Sequence, residues 1–192
     1  MIRDLIASEG SLTGQTEVIK SVIKLSLHLL MNIAHASTAI YNNLMTYDQL
    51  FSFVNAAVLP AWLLLIIAPK WSVTDKLVHS MFYPLFLGVV YIGGMVMALS
   101  GQGAQGGNFT SIEGVRTLFS TDVGMVIGWT HYLVFDLFVG AWEARDSQRR
   151  GFNHWLLIPC LVLTFVLGPV GLVLYLFLRK ATGKGGWQLD SR

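Results

Sequence analysis

Four long apolar runs, separated by short polar segments, dominate the chain. Residues 49–69 contain no Asp, Glu, Lys or Arg and centre on Leu59-Pro60-Ala61-Trp62-Leu63-Leu64-Leu65-Ile66-Ile67. Residues 77–112 also lack those charges, but the apolar part ends near Leu99, where Ser100-Gly101-Gln102-Gly103-Ala104-Gln105-Gly106-Gly107-Asn108 reads as a loop. The third run, about 123–142, has Asp136 as its only formal charge, and the fourth, about 155–178, is closed by Arg179-Lys180. A helix needs roughly 20 apolar residues to cross the hydrocarbon core, so each run predicts a membrane span. The expected spans are 49–69, 77–99, 123–142 and 155–178 within a domain over 45–180, followed by a polar tail over 181–192.

The segment before residue 45 is different in kind. It mixes Asp4, Glu9 and Glu17 with Arg3, Lys20 and Lys24, then turns apolar over 22–35 with His28 and His35 embedded. It lacks the compact zones of a secretory signal, and its acids argue against a transit peptide. The pattern predicts an amphipathic helix lying at the membrane interface. The expected fold class is therefore all-α: an integral membrane four-helix bundle with an N-terminal interfacial helix. Met45 also opens a segment that reads as a plausible start of a four-helix protein, which makes the extension at 1–44 a candidate for a dispensable part.

Composition agrees with a membrane setting. Hydrophobic residues make up 54% of the 192 positions and charged residues 12%, about half the share usual in a soluble domain. The mean hydropathy is +0.58. A net charge of +2, carried in scattered loops, excludes a nucleic-acid footprint. The single cysteine, Cys160, rules out an internal disulfide and reads as a small packing residue. Trp62, Trp71, Trp129, Trp142, Trp155 and Tyr175 fall mostly toward span ends, as interfacial anchors do. Pro60, Pro84, Pro159 and Pro169 put a proline in every span but the third, where kinks would open cavities or merely curve the bundle.

Orientation is not decided by positive charge. Four spans place Lys70, Lys76, Arg145, Arg149 and Arg150 on one side and Arg116, Arg179, Lys180, Lys184 and Arg192 on the other, five against five.

Candidate chemistry gathers around the second and third runs. An ionisable group inside hydrocarbon costs roughly 2.5–3.5 kcal/mol on insertion scales, so it is seldom kept without a partner or a task. His131 and Asp136 meet that description, in Gly128-Trp129-Thr130-His131-Tyr132-Leu133-Val134-Phe135-Asp136-Leu137-Phe138-Val139-Gly140. His79 stands near the start of the second span, Glu113 and Arg116 precede the third, and Asp146 follows it. At about 100° per residue, His131 and Asp136 stand roughly 140° apart, so a pocket must form between helices. Asp136 reads either as a bonded structural acid or as a functional one, and His131 as a bundle histidine or a catalytic one. Arg145, Arg149 and Arg150 read as headgroup anchors, and His28, His35 and His154 as interfacial. A metal held by His79, His131, Glu113 and Asp136 is chemically conceivable, but no ligand-spaced motif is present, and the expectation is no metal.

The run from Gly128 to Asp146, followed by Pro159-Cys160-Leu161-Val162-Leu163-Thr164-Phe165 and Gly168-Pro169-Val170-Gly171-Leu172, resembles the abscisic-acid-deficient-four-like family of small four-helix membrane proteins. The resemblance covers roughly residues 45–179. Plant members of that family are linked to making neoxanthin from violaxanthin. The resemblance thus implies a carotenoid-modifying protein, and specifically an isomerase that turns an epoxide into an allenic alcohol without a cofactor. That reaction needs an acid at the epoxide oxygen and a base at the neighbouring polyene carbon. On this reading His131 and Asp136 form the acid/base pair, and Glu113, His79 and Asp146 orient or replace them. Trp129, Tyr132, Phe135, Tyr83, Arg116 and Trp142 would bind the substrate, and Phe82 and Tyr91 would extend the polyene path. The implied partners are a carotenoid or related isoprenoid, membrane lipids, and a second copy or pathway enzymes, in a bacterial inner or photosynthetic membrane. A non-catalytic carotenoid or lipid binder that assists a pigment pathway stays open beside it. Gly93-Gly94, Gly124, Gly128, Gly140 and the Gly168 to Gly171 pair permit the close helix contacts either would need. A small ion transporter is disfavoured, because no inverted repeat is recognisable.

Overall fold

The computed structural model describes residues 17, 19–29, 31–32, 45–186 and 188. It is helical, with no strand among the described residues. Residues 19–29 form a helix exposed along its whole length, His28 included. The rest of the expected interfacial segment, including His35, lies outside the described residues, as does most of the tail beyond 186.

Three helical stretches are long and apolar enough to cross a membrane: Tyr47–Ile67, Ser72–Gln102 and Asp122–Arg149. Helix α1, Tyr47–Ile67, starts at a capping box, where Thr46 Oγ1 accepts from the Gln49 amide at 3.2 Å and the Gln49 side chain accepts from the Thr46 amide at 2.8 Å. The second stretch consists of the short α2, Ser72–Leu77, then α3, Phe82–Met97, and a wide turn over Ala98–Gln102 in which Gly101 has φ +107°. Tyr47 donates to Gln102 there and ties the start of α1 to the end of α3. Helix α4, Ile112–Leu118, is capped by Ser111 and precedes the longest helix. Helix α5, Asp122–Arg149, is capped by Thr121 and is the central element, packed against α1, α3 and the C-terminal helices.

These helices are apolar on both faces. Val54, Val58, Leu65, Leu87, Leu133 and Leu161 are buried among them, while Leu63, Ile67, Val89, Ile92, Phe135 and Phe138 point outward. An outer face as apolar as the core is what a bilayer requires of a helix. The protein is a membrane protein on these grounds.

The fourth apolar run departs from the expected continuous span. Its residues form α6, His154–Leu167, and α7, Pro169–Ala181, separated at Gly168. Gly168 has φ +53°, a conformation that L side chains rarely adopt, and Pro169 begins α7 at a position where its missing amide costs nothing. The chain therefore turns back rather than bending. Gly171 sits so close to Thr164 and the Cys160 carbonyl that a Cβ would collide with α6 backbone. At the far end Tyr175 of α7 packs on Phe152, just before α6, with ring centroids 5.5 Å apart. Helices of 14 and 13 residues are about 21 and 20 Å long, short of a hydrocarbon core of roughly 30 Å. The pair is a helical hairpin whose two ends share one end of the bundle with residues 68–81.

Two anchor readings change accordingly. Trp71 and Trp155 are exposed at the bundle ends, as interfacial tryptophans would be. Trp62 is 3% exposed, set against Gly140 and tilted against Phe165 with ring centroids 5.2 Å apart, and Tyr175 is wholly buried. The hairpin covers both.

Candidate functional site

The hairpin lies along one face of α5, and a polar seam runs down that contact. Tyr132, Asp136, Glu143 and Asp146 on α5 recur at helical spacing and meet Phe165, Gly168, Thr164, Tyr175 and Arg179 of the hairpin.

At its lower end the Asp146 carboxylate has partners on both oxygens, while the Nε of Arg179 is buried without one. Asp146 Oδ2 accepts from Tyr175 Oη and from Arg179 Nη1, each at 2.7 Å, and Oδ1 accepts from Arg150 Nε at 2.7 Å. Arg179 Nη2 donates to the carbonyls of Gly186 and Gln188 at 2.6 and 2.8 Å, and its guanidinium lies 5.9 Å from the ring centres of Trp142 and Tyr175. Asp146 is bonded by two guanidiniums, one of which also lies against two aromatic rings, an arrangement that ties α7 to α5.

One turn up the seam, Glu143 is fully buried and meets only the Thr164 hydroxyl, which donates within 3.0 and 3.1 Å of its two oxygens. Two turns further, Asp136 faces the hairpin tip, where Gly168 leaves it room, and its Oδ2 is buried without a hydrogen-bond partner. The Tyr132 hydroxyl, one turn before Asp136, donates to the Phe165 carbonyl at 3.3 Å and lies beside the Asp136 carboxylate. The upper seam thus pairs a carboxylate having a spare oxygen with a phenol in hydrogen-bond reach of both that carboxylate and the Phe165 carbonyl.

The other expected site residues are spread more widely. His131 is exposed on the outer face of α5, between Tyr91 at 5.8 Å and Phe135 at 4.6 Å, away from Asp136. Trp129 Nε1 donates to Asn55 Oδ1 of α1 at 3.0 Å and its ring packs at a tilt against Phe51 and Tyr132. Glu113 and Arg116 pair with each other on the exposed face of α4, at the opposite end of the bundle from Asp146. His79 and Tyr83 line a cavity on the other side of α5, with Arg145. His154 bonds the Ile66 carbonyl at 2.8 Å, capping the last turn of α1. Among the described residues, no three His, Cys, Asp or Glu converge as metal ligands.

Glu143, Thr164, Tyr175 and Arg179 belong to the seam but were not legible as site residues. Arg179 read as a charge closing the fourth span, because a straight fourth helix would have left it at the surface.

Comparison with known proteins supplies a family. Residues 49–175 match the family described as ABA DEFICIENT 4-like. The chain is 28% identical over 141 residues to the chloroplastic protein ABA DEFICIENT 4 of Arabidopsis thaliana, across 70% of this chain and 61% of that protein. The match thus spans under two thirds of the length of this curated relative. No solved structure matches the chain. The family match runs from α1 to the middle of α7 and takes in the seam except Arg179, and on that extent the chain belongs to the ABA DEFICIENT 4-like family.

Proposed function

We propose that this protein acts in a carotenoid pathway as a multi-pass membrane isomerase, converting an oxygenated carotenoid end group without net oxidation. Family membership supports the pathway. The observation that carries the chemistry is Asp136, a carboxylate held inside an apolar helix with one buried oxygen unpartnered and Tyr132 beside it. A half-buried acid with an unpartnered oxygen in apolar surroundings is costly unless something uses it.

In the proposed step the Tyr132 hydroxyl gives its proton to an epoxide oxygen as the carbon–oxygen bond breaks. Asp136 takes a proton from the adjacent polyene carbon, and those electrons form the new carbon–carbon double bond. The proton then passes from Asp136 to the Tyr132 phenolate, one helical turn away, restoring both groups. No electron acceptor and no external water enter this cycle. His131, exposed between Tyr91 and Phe135, belongs on this reading to an aromatic strip that holds the polyene from the lipid side.

The test is expression in bacteria that accumulate defined carotenoids, with Asp136→Asn and Tyr132→Phe variants of verified membrane insertion. An isomer of unchanged mass that falls by about 10²–10⁴ in the variants is expected, the range for losing a general acid or base. Undiminished product in Asp136→Asn would sink the assignment. The aromatic strip favours one further reading, a carrier, in which purified protein would retain unaltered pigment and the strip variants would lose it.

A further inference from the structure

A second polar feature lies on the opposite face of α5 from the seam. Between the start of α3 and the last turns of α5 is a cavity of about 90 Å³. A single water needs roughly 10–15 Å³ in this measure, so the space exceeds what one or two waters fill. Its walls are mostly apolar, with Leu87, Val134 and Leu137 prominent, and its polar end is formed by His79 and Arg145.

Those two residues carry unsatisfied groups. Both ring nitrogens of His79 and the Nε of Arg145 are buried without hydrogen-bond partners. The Pro69 carbonyl lies near enough to His79 to act on its ring, but it also accepts from Gln148 Nε2 at 3.0 Å. Ser80, the other hydroxyl at that end, is already engaged, donating to the Leu77 carbonyl at 3.1 Å and accepting from the Phe82 amide at 3.1 Å. No Asp or Glu lines the cavity. The nearest acid acting on His79 is Asp75, on the exposed face of α2. Buried polar groups in a folded protein almost always have partners, and orphans converging on one void point to an absent one.

We infer that this cavity binds the carboxylate head of a single-chain amphiphile, with the apolar chain leaving into the bilayer. An orphaned Arg Nε presents the side-on edge of the guanidinium, which matches a carboxylate in two parallel hydrogen bonds. A His79 nitrogen supplies a third donor. The apolar walls accept the first methylenes, and the exit passes Met81 and Phe138, both largely exposed toward the surroundings. Its location at the end of the bundle that carries Lys70 and Lys76 sets the head at headgroup depth, where an anionic head resides. This site is separate from the Asp136 seam and does not depend on the isomerase reading.

The test uses the full chain in discs of uncharged zwitterionic lipid and measures binding of radiolabelled palmitate. Saturable binding is expected, absent with methyl palmitate and at least tenfold weaker in Arg145→Met. Arg145→Lys, which keeps the charge without the fork, should also bind weakly. Leu137→Trp, which fills the void and spares both polar residues, should abolish binding, while Asp136→Asn should leave it intact. Equal binding of palmitate and its methyl ester, unaltered affinity in Arg145→Met and Leu137→Trp, or preference for lysophosphatidate over palmitate would each overturn the assignment.

Discussion

Arg179 Nη1 donates to Asp146 Oδ2 at 2.7 Å across 33 residues of chain, with side-chain exposures of 0% and 4%. This bond fastens the end of α7 to α5 and holds the hairpin closed. Asp146 also takes Arg150 and Tyr175, so its charge balances two guanidiniums. Asp146→Asn would leave both under-compensated in a buried setting, where breaking one such pair costs about 3–5 kcal/mol. Thermal unfolding in detergent should show that loss. Asp146→Asn combined with Arg179→Met should recover part of it, which a purely additive pair would not do.

Glu143 should behave in the opposite way although it lies one turn from Asp146. It is fully enclosed with a hydroxyl partner and no cation. Removing its charge forfeits no ion pair and relieves a desolvation cost. Glu143→Gln is therefore expected to keep or raise the melting temperature, whereas Glu143→Ala, which leaves Thr164 unpartnered beside a void, should lower it by several degrees.

Gly168 tests the turn itself. Its φ of +53° disfavours any side chain, and an added Cβ would stand 2.9 Å from Asp136 Oδ1. Gly168→Ala should cost about 1–3 kcal/mol, the usual range for backbone strain. Gly93→Ala is the control, since Gly93 lies in α3 with nothing within 4 Å of its would-be Cβ. Equal stability of the two variants would contradict the described turn.

The hairpin also explains which parts of the fold were legible. The first three runs, read as 49–69, 77–99 and 123–142, fall within the observed Tyr47–Ile67, Ser72–Gln102 and Asp122–Arg149 stretches to within a few residues, because charge-free length alone sets a span. Hydropathy over 155–178 is equally high, yet it cannot distinguish one crossing from a segment that enters and returns. The local signal was present in Gly168-Pro169, a helix stop followed by a helix start, but the same pair also occurs at kinks. Asp136 stood out because its neighbours are apolar. The seam residues Tyr175 and Arg179 did not, because only the reversal of the chain brings them back to Asp146.

That reversal changes the count of positive charge. With four crossings, Arg179, Lys180 and Lys184 would lie opposite Lys70 and Lys76. With the hairpin they share their end, since Arg179 bonds Asp146 and the Lys184 carbonyl accepts from Arg150 Nη1 at 3.4 Å. Lys70, Lys76, Arg145, Arg149, Arg150, Arg179, Lys180 and Lys184 then stand at one end of the described bundle, and Arg116 at the other. Expressed in bacteria, a chain with such asymmetry in its short loops is expected to set its basic end on the cytoplasmic side. In a Cys160→Ala background, single cysteines at the exposed positions Ser72, Lys184 and Ile112 would report this by labelling with an impermeant maleimide in intact cells. Ser72→Cys and Lys184→Cys should stay unlabelled until the membrane is opened, and Ile112→Cys should label at once. If position 184 labelled with position 112 instead, the chain would cross a fourth time, and the seam between α5 and the hairpin would lose its basis.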